Sequence, residues 1–257
     1  RRILTAMTTN RVTGVLTGVL ITALIQSSSA TTVMVVSFVN AGLLTLTQSI
    51  GVIMGANIGT TVTAWLISAL GFKVDIAAFA LPLLAFGIPL LFSGKSSRKS
   101  VGEFIFGFSF LFMGLQALKA NAPDLGANPE MLAFVQNYTD MGFLSIILFL
   151  FIGAILTMIV QASAATMAIT LIMCANGWID YHLGVALVLG ENIGTTITAN
   201  LAALTGNTQS RRAALAHLVF NIFGVMWVLV LFYPFTAAVS WFVTDVMNIS
   251  DTAVAVS

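Results

Sequence analysis

Apolar residues fill most of the chain in long stretches, and the polar interruptions between them are short. Ile76 to Phe92, Val101 to Leu118, Gly142 to Val160 and Ala213 to Tyr233 each approach the ~17 to 25 residues that cross a bilayer as a helix. Leu46 to Gly71 is a further crossing, interrupted at Asn57. Val12 to Ile25 holds 14 residues, ~21 Å as a helix, against a hydrocarbon core of ~30 Å. Ala30 to Ala41 is shorter still. Neither half crosses alone, so Val12 to Ala41 reads as a hairpin that enters and leaves by one side, with Gln26 to Ser29 at its tip. The pattern predicts an all-α polytopic membrane protein.

The interruptions repeat. Gln26-Ser27-Ser28-Ser29-Ala30-Thr31 is echoed by Gln161-Ala162-Ser163-Ala164-Ala165-Thr166. Gly55-Ala56-Asn57-Ile58-Gly59-Thr60-Thr61 is echoed by Gly190-Glu191-Asn192-Ile193-Gly194-Thr195-Thr196, and both pairs are 135 positions apart. Two motifs sharing one spacing point to a duplicated unit. A polar motif inside apolar sequence leaves groups that need partners, so each motif is expected to break a helix. Gly142 to Val160 is long enough to span by itself, which makes the second hairpin less decisive by length alone.

Positive charge settles the topology. If both Gln-Ser hairpins are re-entrant, three crossings separate them and the second copy enters from the opposite face, giving an inverted repeat. With Arg11 in the cytoplasm, Arg1, Arg2, Lys95, Arg98, Lys99, Arg211 and Arg212 fall there too, leaving only Lys73 and Lys119 of the 10 basic residues outside. Full crossing by each hairpin would separate Arg11 from the Lys95 to Lys99 cluster. The expected organisation is a first repeat over 1–119 with a hairpin, a broken helix and two transmembrane helices. An external linker over 120–141 follows, then a second, inverted repeat over 142–257. The linker carries Asp124, Glu130 and Asp140 without Lys or Arg, and Pro123 and Pro129 turn it. Pro234 interrupts the last long helix, and Trp241 and Phe242 suggest a final interfacial segment. The ends, Arg1-Arg2 and the tail from Asn248, are expected to be those of an excised core.

Composition agrees: 58% of residues are hydrophobic and 7% charged, against about 25% charged in a soluble domain. A net charge of +1 argues against nucleic-acid partners. Cys174, the single cysteine, sits among Ile172, Met173 and Ala175 as a small hydrophobe.

Each break offers hydroxyls and amides beside the unpaired N–H groups of a new helix, a combination that receives anions. Ser28 and Ser29 precede a helix expected to start near Ala30, where they can cap it or face a ligand. At Asn57 to Thr61 glycine permits an unwound backbone, whose carbonyls with the threonine hydroxyls suit a hard cation such as sodium. The bland reading, hydroxyls bonding back to their own helices or gluing helices together, competes at every single position; the duplication favours binding. Glu191 stands where the first copy has Ala56, and an intramembrane carboxylate is a cation ligand or proton acceptor by default. His217, with Asn221 one turn on, reads as a packed, hydrogen-bonded histidine. Gly14 with Gly18 and Gly51 with Gly55 read as helix-packing surfaces. Without Lys or Arg in the motifs, a bound anion depends on helix ends and co-bound cations, so ion coupling is expected.

These residues resemble the paired Gln-Ser and Asn-Ile-Gly-Thr-Thr signature of the type II sodium/phosphate cotransporter family, over essentially the whole chain. Arg211 to Asn221 is similar to that family's second-half helix. The resemblance implies an inverted repeat with two re-entrant hairpins and two broken transmembrane helices, in a multi-pass protein of a cell membrane, such as a bacterial inner membrane, that can pair as a homodimer. It implies a sodium-coupled inorganic phosphate symporter working by alternating access, not an enzyme, with no cofactor and with Na+ as coupling ion. Phosphate would be lined by Gln26, Ser27, Ser28, Ser29, Gln161 and Ser163, with Asn57, Asn192 and Thr195. Sodium would be held among Ser28, Ser29, Thr31, Asn57, Thr60, Thr61, Ser163, Thr166, Glu191, Asn192, Thr195 and Thr196. The sequence departs from the pattern at Ala162 and Ala164, which lack hydroxyls, and at Leu81-Pro82-Leu83, where some members carry a histidine-aspartate pair. Another oxyanion or a dicarboxylate is the competing cargo, a passive channel the competing mode, and an intramembrane hydrolase using Ser163 or Ser28 with His217 the competing class.

Overall fold

The computed structural model describes residues 8, 10–72, 77–121 and 137–248, so most of the 120–141 linker expected from the sequence lies outside the described residues. Within them the chain forms helices only. These are α1 (Arg11–Ile25), α2 (Ser28–Asn40), α3 (Leu46–Phe72), α4 (Ala77–Leu91), α5 (Ser96–Ala120), α6 (Phe143–Val160), α7 (Ser163–Ala175), α8 (Tyr181–Gly194), α9 (Thr196–Ala203), α10 (Thr208–Val230) and α11 (Phe232–Trp241), followed by a π-helical turn over Phe242–Val246. Among the described residues four helices are long and apolar enough to cross a membrane, over Leu46–Ser68, Ser96–Leu118, Phe143–Val160 and Thr208–Val230. The protein is a multi-pass membrane protein. At 15 and 13 residues, α1 and α2 are ~22 Å and ~20 Å long, each shorter than the hydrocarbon core. Where a crossing is expected at Ile76 to Phe92 stands α4, also 15 residues, with Pro82 and Pro89 inside it; it is not among the four helices long enough to span.

Helix ends recur at the spacing of the motifs. α1 ends at Ile25 and α6 at Val160; α2 and α7 both run 13 residues, from Ser28 and from Ser163; α3 starts at Leu46 and α8 at Tyr181. Each of these boundaries is displaced by the same 135 positions.

Packing follows the repeat as well. α1 lies along α3 and α6 along α8, and glycines set how close they come. A Cβ on Gly18 would collide with the Val52 carbonyl and one on Gly55 with the Val15 carbonyl; at the equivalent places Gly153 meets Leu187 and Gly190 meets Leu150. Gly14 rests on Gly51, so the small-residue pairs expected from sequence are helix-packing surfaces. α2 and α7 pack on their own half and also reach the other. Val35, Val36 and Val39 of α2 share a buried core with Ala199, Ala203, Ala213 and Ala214 of α9 and α10. Ala168, Leu171 and Ile172 of α7 share another with Ile67, Phe112 and Leu115 of α3 and α5.

One expected break is absent. α3 runs as 27 continuous helical residues through Asn57, so of the two broken transmembrane helices expected, the first is intact. The hydroxyls of Thr60 and Thr61 donate to the carbonyls of Ala56 (3.1 Å) and Ile58 (2.7 Å), and the backbone stays helical. Gly59 serves approach, not unwinding: a Cβ there would lie 2.7 Å from Thr22 Cβ. The second copy does divide, at Thr195, between α8 and α9. There Thr195, Thr196 and Thr198 all donate to carbonyls three residues back, at 3.0, 2.7 and 3.0 Å, a pull on the tighter turn that bends helices.

Candidate functional site

The tips are built alike. α1 ends on Gln26 and α6 on Gln161, both in the left-handed region at φ 57° and 54°. The Gln26 N–H donates to the Thr22 carbonyl (2.7 Å) and the Gln161 N–H to the Thr157 carbonyl (2.8 Å). This is how helices usually stop, but with glycine or asparagine at that place. A glutamine there costs about 1 kcal/mol or more, and only one other non-glycine residue among those described, Asn248, has a positive φ. One extended residue then leads to the next helix N-terminus, at Ser28 and at Ser163. The helix starts two residues before Ala30, and its cap is Ser27, whose side chain accepts from the Ala30 N–H at 3.1 Å; Ser28 and Ser29 lie inside the first turn. At the second tip Ala162 has no side chain with which to do this.

Burial differs between the tips. Gln26, Ser27 and Ser29 are half-buried and Ser28 is buried, whereas Gln161 is exposed and Ser163 half-buried. Beneath the first tip Thr22 and Thr31 are fully buried, with the Thr22 hydroxyl donating to Thr31 Oγ1 (3.1 Å) and that of Thr31 donating to the Ser27 carbonyl (3.0 Å). Their counterparts bond within their own helices: Thr157 donates to the Gly153 carbonyl (2.8 Å) and Thr166 to that of Ala162 (3.5 Å). Among the described residues no hydrogen bond joins one tip to the other. Thr22 and Thr157 were missed by sequence reasoning, although they too are 135 apart, each four residues before its glutamine.

The threonines of the Asn-Ile-Gly-Thr-Thr motifs spend their hydrogens on their own helices, as the bland reading expects. A hydroxyl that donates backward keeps oxygen lone pairs for a hard cation, so both readings hold for one side chain. What the intact α3 removes is the supply of freed main-chain carbonyls at Asn57, which leaves only side-chain oxygens there for a cation.

Asn57 is one of the places where the two halves meet through polar atoms. Its Nδ2 donates to Asn221 Oδ1 at 2.9 Å, and its Oδ1 lies 3.2 Å from His217 Nε2. Asn221 Nδ2 donates to the His217 carbonyl at 2.8 Å. His217 is therefore the packed, hydrogen-bonded residue expected, with no serine as its partner among the described residues. Asn192 stands at the equivalent place in the second copy, where the positions matching His217 and Asn221 are Pro82 and Phe86. Glu191 is 3% exposed, and its Oε2 is buried without a hydrogen-bond partner.

Comparison with known proteins bears on what such a site serves. The profile of the Na+/Pi-cotransporter family matches residues 1–120 and 127–245. The chain is 32% identical over 231 residues, 89% of its length and 70% of the relative's, to YqeW of Bacillus subtilis, an uncharacterized protein. It is 29% identical over 215 residues to the putative inorganic phosphate export protein YjbB of Escherichia coli, covering 82% of this chain but 38% of that protein. A stretch of 78 residues, 29% of this chain and 12% of the relative, is 46% identical to the sodium-dependent phosphate transport protein 2A of Ovis aries. No solved structure matches. The matched family is one of transporters and not of enzymes, which removes the hydrolase alternative. With its doubled tips and doubled Asn-Ile-Gly-Thr-Thr segments all inside the matched residues, the chain belongs to the Na+/Pi-cotransporter family.

Proposed function

We propose that the protein is a sodium-coupled inorganic phosphate symporter in which the anion binds between the two Gln-Ser tips and is exposed to each side of the membrane in turn. The observation that carries this reading is the left-handed glutamine found at both tips, directly before a helix N-terminus. An energetically costly backbone kept twice implies that the side chain is wanted there. Two helix starts aimed at one oxyanion supply N–H groups and positive dipole ends without a basic side chain.

In this reading α1–α2 and α6–α7 are re-entrant hairpins of an inverted repeat. Gln26, Ser27, Ser28, Ser29, Gln161 and Ser163 line phosphate, with Asn57, Asn192 and Thr195 beside them. Sodium is held by oxygens drawn from Ser28, Ser29, Thr31, Asn57, Thr60, Thr61, Ser163, Thr166, Glu191, Asn192, Thr195 and Thr196. Coupling follows from electrostatics, because a multivalent anion in a site without Lys or Arg is poorly compensated until cations enter with it. The basic residues Arg11, Lys95, Arg98, Lys99, Arg211 and Arg212 flank helix starts that belong on the cytoplasmic side.

The test is uptake of labelled phosphate into proteoliposomes under an inward sodium gradient, with sulfate and succinate as competitors and potassium as the control gradient. Sodium-dependent phosphate flux that is lost in Gln26→Ala and in Gln161→Ala supports the reading. Flux indifferent to sodium, or carried by succinate in place of phosphate, refutes it.

A further inference from the structure

The hydrogen bonds around Asn57 can be read in only one direction. Asn221 Nδ2 donates to a main-chain carbonyl, that of His217, which cannot donate in return. That fixes the Asn221 amide, so its Oδ1 is an acceptor, and Asn57 must present Nδ2 to it at 2.9 Å. Asn57 therefore turns Oδ1 toward His217 at 3.2 Å, and Nε2 of the imidazole has to carry the hydrogen. The other ring nitrogen, Nδ1, is buried with no partner in a residue 2% exposed. A second proton on it would be enclosed with nothing to accept it.

We propose that His217 and Asn221, from the second half, are positioning residues that clamp the carboxamide of Asn57, from the first half, in one orientation. The clamp uses one of the two N–H hydrogens and one of the two oxygen lone pairs that asparagine offers. The remaining N–H suits an oxyanion oxygen and the remaining lone pair suits sodium, so a fixed amide ties the place of one ion to that of the other. Asn57 is half-buried while His217 and Asn221 are 2% and 5% exposed, so the side of the cluster with access is the asparagine. The arrangement is single: at the positions that would clamp Asn192 stand Pro82 and Phe86, which have no side-chain hydrogen bonds to give. The two motifs, nearly identical in sequence, are thereby unequal: the first has a histidine and an asparagine on its amide, and the sequence offers the second no such pair at the matching positions.

This inference rests on the reading of Asn57 as part of the transport site, and the experiment separates the two. Sodium-driven phosphate uptake is measured for His217→Leu, His217→Gln, Asn57→Ala and the double variant His217→Leu with Asn57→Ala. The clamp predicts that His217→Leu raises the half-saturating phosphate and sodium concentrations about tenfold, the size of one lost hydrogen bond, with the maximal rate held within about twofold. His217→Gln, whose amide nitrogen can replace Nε2–H, restores most of the loss. The double variant should be no worse than Asn57→Ala alone. Unchanged half-saturation in His217→Leu, a fall in maximal rate and protein yield alone, or losses that multiply in the double variant would each overturn it. Should the native protein move no phosphate, the proposed function fails, and the clamp is then decided by 15N NMR of labelled histidine in a His182→Asn background. A neutral Nε2–H imidazole whose Nε2 signal shifts in Asn57→Leu supports the clamp, and an Nδ1–H imidazole overturns it.

Discussion

Gly59→Ala tests whether the glycine of the Asn-Ile-Gly motif is there for packing or for unwinding. The added Cβ would lie 2.7 Å from Thr22 Cβ, 2.9 Å from the Val19 carbonyl oxygen and 3.1 Å from Thr22 Cγ2. Ordinary contact begins at 3.4 Å, so α1 must retreat by about 0.7 Å, a distance packed interiors resist. The same retreat would stretch the buried Thr22–Thr31 hydroxyl bond, now 3.1 Å, to about 3.8 Å, beyond hydrogen-bond range. Overpacking costs about 1 to 3 kcal/mol and the lost bond about 1 kcal/mol. Alanine's better helix propensity returns about 1 kcal/mol. The net expectation is a loss of about 1 to 3 kcal/mol, seen as a lower melting temperature of the detergent-solubilised protein. Gly194→Ala should behave alike, because its Cβ would meet Thr157 Cβ at 2.7 Å. Gly114→Ala is the control: nothing lies within 4 Å of its added Cβ, and stability should hold or rise. If Gly59→Ala melts with Gly114→Ala, the close approach of α1 to α3 is not what the glycine provides.

Three further outcomes follow from the same geometry. Ala162→Ser should give α7 the side-chain cap that Ser27 gives α2, raising stability by about 0.5 to 1 kcal/mol, with Ser27→Ala moving the melting temperature the other way. Asn207→Ala removes both the cap of α10, an acceptor for the Ser210 N–H at 2.9 Å, and the donor to the Asn40 carbonyl at 3.0 Å. It should cost about 1 to 2 kcal/mol, while Asn207→Asp, which keeps the cap, should fall between. If Glu191, whose Oε2 is buried without a hydrogen bond, is the sodium ligand proposed above, Glu191→Gln should raise the half-saturating sodium concentration of uptake at least about tenfold; unaltered sodium dependence would show that it is not.

The repeat and most helix limits were legible because they are local and doubled. The apolar run ending at Ile25 and the polar tip that follows mark a helix end in one copy, and the shared spacing carries it to Val160 in the other. The state of the chain at Asn57 was not legible. A glycine that unwinds a helix and one that admits a neighbour look the same in sequence, because both need only the missing Cβ. What decides between them is Thr22, 37 residues away in the sequence and opposite Gly59 in the fold. The start of α2 was misplaced for a similar reason: three consecutive serines can all cap, and only the extended backbone at Ser27 selects one. The ties between halves, Asn57 with His217 and Asn40 with Asn207, join positions 160 and 167 apart, and polar pairs at such range leave no periodicity to read.

The distribution of glycines bears on how a protein of this family can move. α1 with α3, and α6 with α8, are interlocked backbone to backbone by Gly18, Gly55, Gly153 and Gly190, so each pair moves as a body if it moves at all. Where α7 meets α3 and α5, Ile67, Phe112 and Leu115 bring larger side chains together; where α2 meets α9 and α10 the surface is of another kind, Val35, Val36 and Val39 lying on Ala199, Ala203, Ala213 and Ala214, short side chains that offer little interdigitation. Sliding there exchanges one set of dispersion contacts for another of similar worth, whereas separating α1 from α3 forfeits contacts that nothing replaces. In the proposed symporter, alternating access would draw on the contacts of α2 with α9 and α10 before it drew on the interlocked pairs. The Asn57 cluster and the two bonds between Asn207 and Asn40 are directional ties laid across that boundary, and a directional bond is lost over a short displacement that apolar contacts tolerate.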